Sequence, residues 1–241
     1  MKLNCDLGES YGNWTIGLDA QVMPFIDQAN IACGFHAGDP LVIQNTLKLA
    51  KKHGVSIGAH PSYPDLVGFG RRSMNCSTQE MIAFVIYQIA AVDGMATSLG
   101  LELQYVKPHG ALYNDMMAND DIRKAILTAV SSYPKPLKVM LQATMELKAH
   151  KAQAKNYGVE VLAEAFADRC YADDGKLLSR TLAGSVHNKT KMLAQVKQLV
   201  EQGTVTTVSG NVLALNADSL CVHGDNIESV QAIGVLKELI G

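Results

Sequence analysis

A parallel α/β barrel of about seven strands is the fold class this sequence predicts, and three observations predict it. Short apolar segments alternate with longer amphipathic ones, the pattern of βα units around a parallel sheet. Nearly every strand candidate ends in a cluster rich in Gly, His and Asp. Six such clusters converge on one point only if the sheet closes into a ring, since an open sheet spreads them along an edge. The length fits as well: 241 residues suit one domain spanning 1–241, and 48% apolar residues supply a sizeable core.

The elements follow in order. Lys2–Leu7 is a strand running into Asn4-Cys5-Asp6-Leu7-Gly8-Glu9. Asp27–Ala32 is the second, ending in Ala32-Cys33-Gly34-Phe35-His36-Ala37-Gly38-Asp39. Asp39-Pro40 reads as an N-cap with proline where no N–H is needed, so a helix is expected over Pro40–His53. Lys51-Lys52-His53-Gly54 closes it, with cations in the last turn and glycine beyond. Val55–Ala59 is a strand leading to His60-Pro61. Ser77-Thr78-Gln79-Glu80 is a capping box that opens a helix over Thr78–Leu99. Its apolar run, Met81–Val92, is broken by Gln88 and is shorter than the roughly 20 residues a bilayer requires, which makes it a core helix. Leu103–Val106 ends in Lys107-Pro108-His109-Gly110. Helices over Asp121–Ser132 and Met145–Asn156 flank a strand over Leu137–Leu141. Val159–Ala163 leads into Glu164-Ala165-Phe166-Ala167-Asp168-Arg169, and a helix covers Asn188–Gln202. Val205–Val208 and Val212–Leu215 flank Ser209-Gly210-Asn211 as a hairpin. Leu220–Val222 is the last strand, followed by His223-Gly224-Asp225 and a helix over Ile227–Ile240.

Composition excludes several functions. Lys+Arg number 21 against 23 Asp+Glu, so no cationic excess exists for a nucleic acid partner. No run suits a membrane, and Asp6, Glu9 and Asp19 interrupt any signal-peptide core. The five cysteines are odd in number and scattered, with no C-x-x-C pair, which fits a reducing cytoplasm better than a disulfide framework.

Strand alternation assigns faces, because residues two apart share one. Asn4 goes with Asp6, Gly58 with His60, Lys107 with His109 and Cys221 with His223, while Leu3, Leu7, Ile57, Ala59, Val106 and Val222 face the helices. His36, His60, His109 and His223 each end a strand beside glycine or proline and are expected to share one site with Asp6 as the catalytic groups. His53 and His187 read as ordinary helix-end residues and His150 as an exposed helix position. With Glu9, Asp39, Asp168 and Asp225 nearby, the side chains suit a divalent metal ion, and Asp6, His36, His60 and His109 are its candidate ligands. No H-E-x-x-H or H-x-x-x-H pair accompanies them, so acid–base work by the same histidines is an equal reading. Cys33, beside Gly34 and His36, is the cysteine nearest to a nucleophile's setting, although cysteines are mostly buried small side chains. Lys107, Arg169 and Arg71, with Asn4, Glu9, Asp168 and Asp225, are candidates for binding substrate or phosphate; Arg72 and Arg180 read as surface ion pairs. Neither a Walker loop nor a dinucleotide fingerprint is present, so any nucleotide is held in another way.

The longest clusters are specific enough to compare with a family. They are Asn4-Cys5-Asp6-Leu7-Gly8-Glu9-Ser10, the run from Ala29 to Pro40, Ile57-Gly58-Ala59-His60-Pro61, and Pro64-Asp65-Leu66-Val67-Gly68-Phe69-Gly70-Arg71-Arg72. Val106 to Asn114, Glu164 to Arg169 and Cys221 to Asn226 complete the set. Through them the chain resembles the LamB/YcsF family, which is also named for the A subunit of 5-oxoprolinase, along essentially its whole length. The resemblance implies a distorted TIM-like (β/α) barrel related to the glycoside hydrolase and deacetylase barrels. It also implies one component of an enzyme that opens 5-oxo-L-proline to L-glutamate while cleaving ATP, in partnership with subunits B and C. Arg169 or Lys107 would then clamp the substrate carboxylate, and Asp6 with the strand-end histidines would activate water. Two other classes stay open: a metal-dependent deacetylase of an N-acylated sugar, and a non-catalytic substrate-binding subunit. Asp6→Asn or His109→Ala is expected to abolish activity with little change in Tm, since neither residue lies on the apolar face.

Overall fold

A computed structural model describes residues 1–180, 182–224 and 227–241; Asp225, one of the expected binding residues, lies outside them. The strands are β1 (Lys2–Leu7), β2 (Gln28–Ala32), β3 (Ser56–His60), β4 (Leu103–Val106), β5 (Lys138–Gln142), β6 (Val161–Phe166), β7 (Thr204–Thr206), β8 (Val212–Ala214) and β9 (Ser219–His223). Six parallel neighbours run β1 to β6, and β9 pairs with both β6 and β1, so the sheet closes. The TIM-like barrel is thus borne out, with β7–β8 as the expected hairpin beside it. The helices are α1 (Asp19–Val22), α2 (Pro40–His53), α3 (Thr78–Ser98), α4 (Gly110–Ala118), α5 (Asp120–Ser132), α6 (Leu147–Lys155), α7 (Lys189–Gln202) and α8 (Ile227–Ile240).

Local chemistry places the helix ends. Asp39 caps α2 by accepting from Leu41 N and Val42 N, and Gly54 ends it in the left-handed region. Ser77 and Glu80 close the capping box of α3. α1 and α4 escape the sequence reading: α1 is a single turn, and α4 starts at His109-Gly110 with no side-chain cap, where the residues read as a loop. α3 is long and apolar enough, by length and composition, to cross a membrane. In the barrel it packs on α5, β3 and β4, burying Met81, Val85, Ile89, Val92 and Ala96.

The apolar core lies between strands and helices. Leu3, Leu7, Ile31, Ile57, Ala59, Val106, Val139, Leu141, Ala165, Leu220 and Val222 are all buried there. The axis is different. Such barrels usually fill it with Val, Ile and Leu, whereas Asn4, Gln28, Asn30, Tyr105, Glu164 and Ser219 occupy it here, each buried. Burying so many polar groups is tolerable only if they bond to one another. They do: Ser219 Oγ donates to Gln28 Oε1 at 2.8 Å, Asn4 Nδ2 to Ser219 Oγ at 2.8 Å, Asn30 Nδ2 to Asn4 Oδ1 at 2.9 Å, and Tyr105 Oη to Asn30 Oδ1 at 2.7 Å. Gly58 makes room for Tyr105. A Cβ at Gly58, its register partner, would overlap the phenol ring.

Two histidine readings hold and one fails. His53 is the last residue of α2, and His187 precedes α7. His150, expected on the surface, is buried. It shares the inward face of α6 with Leu147 and Ala154 at helical spacing, while its neighbours Lys148 and Lys151 are the exposed ones.

Candidate functional site

At the carboxyl ends of the barrel strands lies a cavity of about 520 Å³. Asp6, Glu9, His60, Arg71, Lys107, His109, Arg169 and His223 line it, so most of the sequence candidates converge on one place. Its floor is an ion network. Lys107, fully enclosed, places its ammonium 2.9 Å from Asp6 Oδ1, 3.1 Å from Glu164 Oε2, 3.3 Å from Asn4 Oδ1 and 3.2 Å from Cys221 Sγ. Burial opposes that charge, but Asp6, Cys221 and Glu164 outweigh it and raise the Lys107 pKa well above the ordinary lysine value. Burial likewise opposes the Asp6 carboxylate, and His60 and Lys107 overcome it to hold Asp6 well below the usual range. Lys107 and Asn4 are therefore taken up in supporting Asp6 and Glu164.

Beside Asp6 stands an imidazole cluster. His60 Nδ1 is 2.6 Å from the Lys107 carbonyl and His109 Nε2 is 2.9 Å from the Phe69 carbonyl. A carbonyl only accepts, so both of those nitrogens carry hydrogen. With neutral rings, His60 Nε2 and His109 Nδ1 then face each other as lone pairs 3.0 Å apart. Asp6 Oδ2 is 3.3 Å from the first, Glu9 Oε1 3.4 Å from the second and 3.1 Å from His36 Nε2. Burial first, then His36 and His60, hold His109 well below the ordinary imidazole pKa; burial, then His60, does the same to His36. Acceptors converging on one point repel unless a proton or a metal ion joins them, and the four ligand atoms of Glu9, His36, His60 and His109 lie within 4.8 Å of one another. This buried group can hold a metal ion. His36 stacks on His109 at 3.7 Å between ring centroids and sits behind it, leaving His36 Nδ1 buried and without a partner among the described residues.

The segment between β3 and α3 clamps these rings. Phe69 is the one non-glycine residue with positive φ (54°) among those described, and its ring meets His36 and His109 edge-on at 5.5 and 5.2 Å. Backbone strain of this kind persists where its surroundings fix it. Gly70, at φ 62°, lies so close that a Cβ would stand 2.8 Å from His109 and 2.9 Å from His36.

A second group occupies the β9 side. His223 Nδ1 meets both Asp168 carboxylate oxygens, at 2.9 and 3.0 Å, and Asp168 is buried. Burial raises the Asp168 pKa, but His223, then Arg180 and Arg169, bring it below the usual value. Asp6, Cys221 and His223 also bring ligand atoms within 4.8 Å of one another.

Other residues fall differently from the reading. Asp39 caps α2, accepting from Leu41 N and Val42 N, and also accepts from Gly12 N. Cys33 is buried away from the cavity lining, where burial raises its thiol far above the ordinary value; all five cysteines are free. Arg72 pairs with Asp65 as expected. Arg180 does not fit its surface-pair reading: it lines the cavity and makes no ion pair among the described residues. Tyr113, Gln142, Phe166 and Lys176 line it too and carried no sequence signal beyond proximity to a cluster. Glu164 Oε1 and Tyr113 Oη are both buried and make no geometrically good hydrogen bond among the described residues, while the nearby Glu164 carboxylate helps burial to raise the Tyr113 pKa.

Comparisons with known proteins agree along the chain's length. The LamB/YcsF family model matches residues 1–240. The A subunit of 5-oxoprolinase from Pseudomonas fluorescens strain Pf0-1 is 51% identical over 241 residues, covering 100% of this chain and 96% of that one. Its namesake in Vibrio cholerae is 48% identical over 98% of this chain and 96% of its own. Among solved structures, a lactam utilization protein from Thermus thermophilus superposes with a TM-score of 0.90 at 38% identity, covering 99% of this chain and 96% of that one. A putative cellobiose-phosphate cleavage protein from Enterococcus faecalis shares the fold alone, with a TM-score of 0.55 at 13% identity over 99% of this chain and 92% of its own. On the family match and the end-to-end identity together, the chain belongs to the LamB/YcsF family.

Proposed function

We propose that this chain is the A subunit of an ATP-driven cytoplasmic 5-oxoprolinase, opening 5-oxo-L-proline to L-glutamate together with subunits B and C. The observation that carries the reading is one cavity, lined by the candidate catalytic groups, in a chain about half identical end to end to proteins named as the A subunit of 5-oxoprolinase. A lactam is a poor electrophile. Transfer of a phosphoryl group from ATP to its amide oxygen releases ADP and activates the ring carbon. One water adds there, the C–N bond breaks with its nitrogen taking a proton, and a second water cleaves the resulting acyl phosphate to glutamate and phosphate. His223 suits the proton transfer: its Nδ1–H donates to the Asp168 carboxylate, which leaves Nε2 to accept a proton from water. Arg169 and Arg71 on the cavity wall suit the anionic parts of substrate or phosphate.

The lone-pair cluster fits a divalent ion held by Glu9, His36, His60 and His109, with Asp6 alongside. Such an ion supplies Lewis-acid polarisation of an oxygen when bound. Protein purified without chelator is expected to carry about one equivalent of a divalent metal, and His60→Ala to carry less than about a tenth. Wild-type protein with under a tenth of an equivalent, and activity indifferent to chelator and to added zinc or manganese, leaves the histidines as acids and bases.

The functional assay is glutamate formation from 5-oxo-L-proline with ATP. The chain alone is expected to be nearly inactive, and addition of subunits B and C to restore turnover. Equal rates with and without them place the whole reaction on this chain. Acetate release from N-acetylglucosamine without ATP supports the deacetylase reading instead.

A further inference from the structure

We propose that Arg180, backed by Arg169, forms an oxyanion-binding subsite in the cavity that reads a carboxylate or phosphoryl group of the ligand. The segment between β6 and α7 folds back on itself: Cys170 N donates to the Ser185 carbonyl, Leu178 N to the Cys170 carbonyl, and Arg169 bridges to Val186. This brings Arg169, Lys176, Ser179 and Arg180 to the same cavity. Arg169 is 7% exposed, and its Nε and Nη2 donate to the carbonyls of Ser185 (3.4 Å) and Leu178 (2.6 Å). Those bonds fix the guanidinium plane, and Nη1 makes no hydrogen bond among the described residues. Arg180 is exposed and makes no ion pair among them.

The two cations lie near enough to feel each other. Burial, and then Arg180, push the Arg169 pKa down to about 10. Among the described residues, the Asp168 carboxylate feels both cations and has its two oxygens 2.9 and 3.0 Å from His223 Nδ1. Lys176 faces Asp174 at 3.5 Å. Two guanidiniums gathered on one wall repel until an anion lies between them, and the planar forks match a carboxylate or phosphate. Of the other cations named for this role, Lys107 is enclosed by Asp6 and Glu164 and is committed to them, and Arg71 lies over the Phe69 ring at 5.0 Å. Arg180, exposed at the cavity beside the fixed Arg169 guanidinium, is the cation assigned to read the anion. Only the carboxylate as occupant rests on the 5-oxoprolinase reading; the oxyanion subsite stands on its own geometry.

The test is calorimetric titration of the full chain and of Arg180→Ala with three probes: 5-oxo-L-proline, 2-pyrrolidinone (the same lactam without the carboxylate) and inorganic phosphate. Arg180 is exposed, so its replacement leaves the fold intact. The expected result is 5-oxo-L-proline binding weakened about 10–100-fold in the variant, with 2-pyrrolidinone unchanged. If the wild type binds phosphate and no lactam, and the variant loses the phosphate, the subsite holds a phosphoryl group and the lactam reading of this chain falls. Equal affinities of wild type and variant for both 5-oxo-L-proline and phosphate overturn the subsite, as does failure of the wild type to bind either.

Discussion

Lys107→Met is expected to lower the Tm by roughly 6–20 °C, the largest stability loss of any single substitution in the barrel axis. The ammonium is the sole cation within ion-pair distance of Glu164 among the described residues and one of the partners of Asp6. Methionine keeps most of the apolar stem and removes the ammonium with its donors, leaving both carboxyl groups enclosed without it. Breaking one member of a buried pair costs about 3–5 kcal/mol. In a domain of this size each kcal/mol moves the Tm by about 2–4 °C. Adding Glu164→Gln to the variant removes one of the stranded carboxyl groups, so the double variant is expected to melt higher than Lys107→Met alone. Thermal melts of the wild type and three variants, including Glu164→Gln by itself, complete the cycle. A Lys107→Met protein melting within about 2 °C of wild type means the axis is hydrated enough to screen the charges, and the network account fails.

The same network revises the expectation for Asp6. On sequence grounds Asp6→Asn leaves stability untouched, because Asp6 is off the apolar face. Asp6 is indeed off that face, yet it is 8% exposed and holds Lys107 at 2.9 Å and Asn30 at 2.7 Å. A polar face inside a closed barrel is itself a core, and period-2 alternation reports the face without reporting its enclosure. That distinction runs through the molecule. Strand positions, the capping box and the Asp39 cap depend on neighbours in sequence and are legible there. The convergence of His36, His60 and His109 is legible from glycine-flanked strand ends, but the lone-pair opposition depends on the carbonyls of Lys107 and Phe69, which no motif marks. Arg180 is illegible for a related reason: its segment carries no periodic pattern, and backbone bonds within the loop after β6 set its place. His150 misleads because flanking lysines suggest solvent, while the helical phase of Leu147 and Ala154 turns it inward.

His223→Ala is expected to lower turnover in the assembly with subunits B and C by about 10²–10⁴-fold, the range for loss of a positioned general base. His223 projects at the cavity with its side chain 13% exposed and its ring stacked on Phe166 at 6.0 Å. Asp168 acts through it as a positioning residue, holding the Nδ1 hydrogen and stabilising the imidazolium that forms when Nε2 takes a proton. Asp168→Asn is therefore expected to reduce turnover less than His223→Ala. The decisive measurement is the double variant. If Asp168 works only by orienting and stabilising His223, Asp168→Asn adds nothing once the imidazole is gone, and the double variant turns over as His223→Ala does. Binding of 5-oxo-L-proline, measured on each variant, separates this from damage to the cavity, which would weaken binding along with turnover. Multiplying losses in the double variant mean that Asp168 has a role apart from His223, with Arg169 and Arg180 as its neighbours for that role. Turnover within about twofold of wild type for His223→Ala removes the dyad from the reaction and leaves proton transfer to the histidines around Glu9.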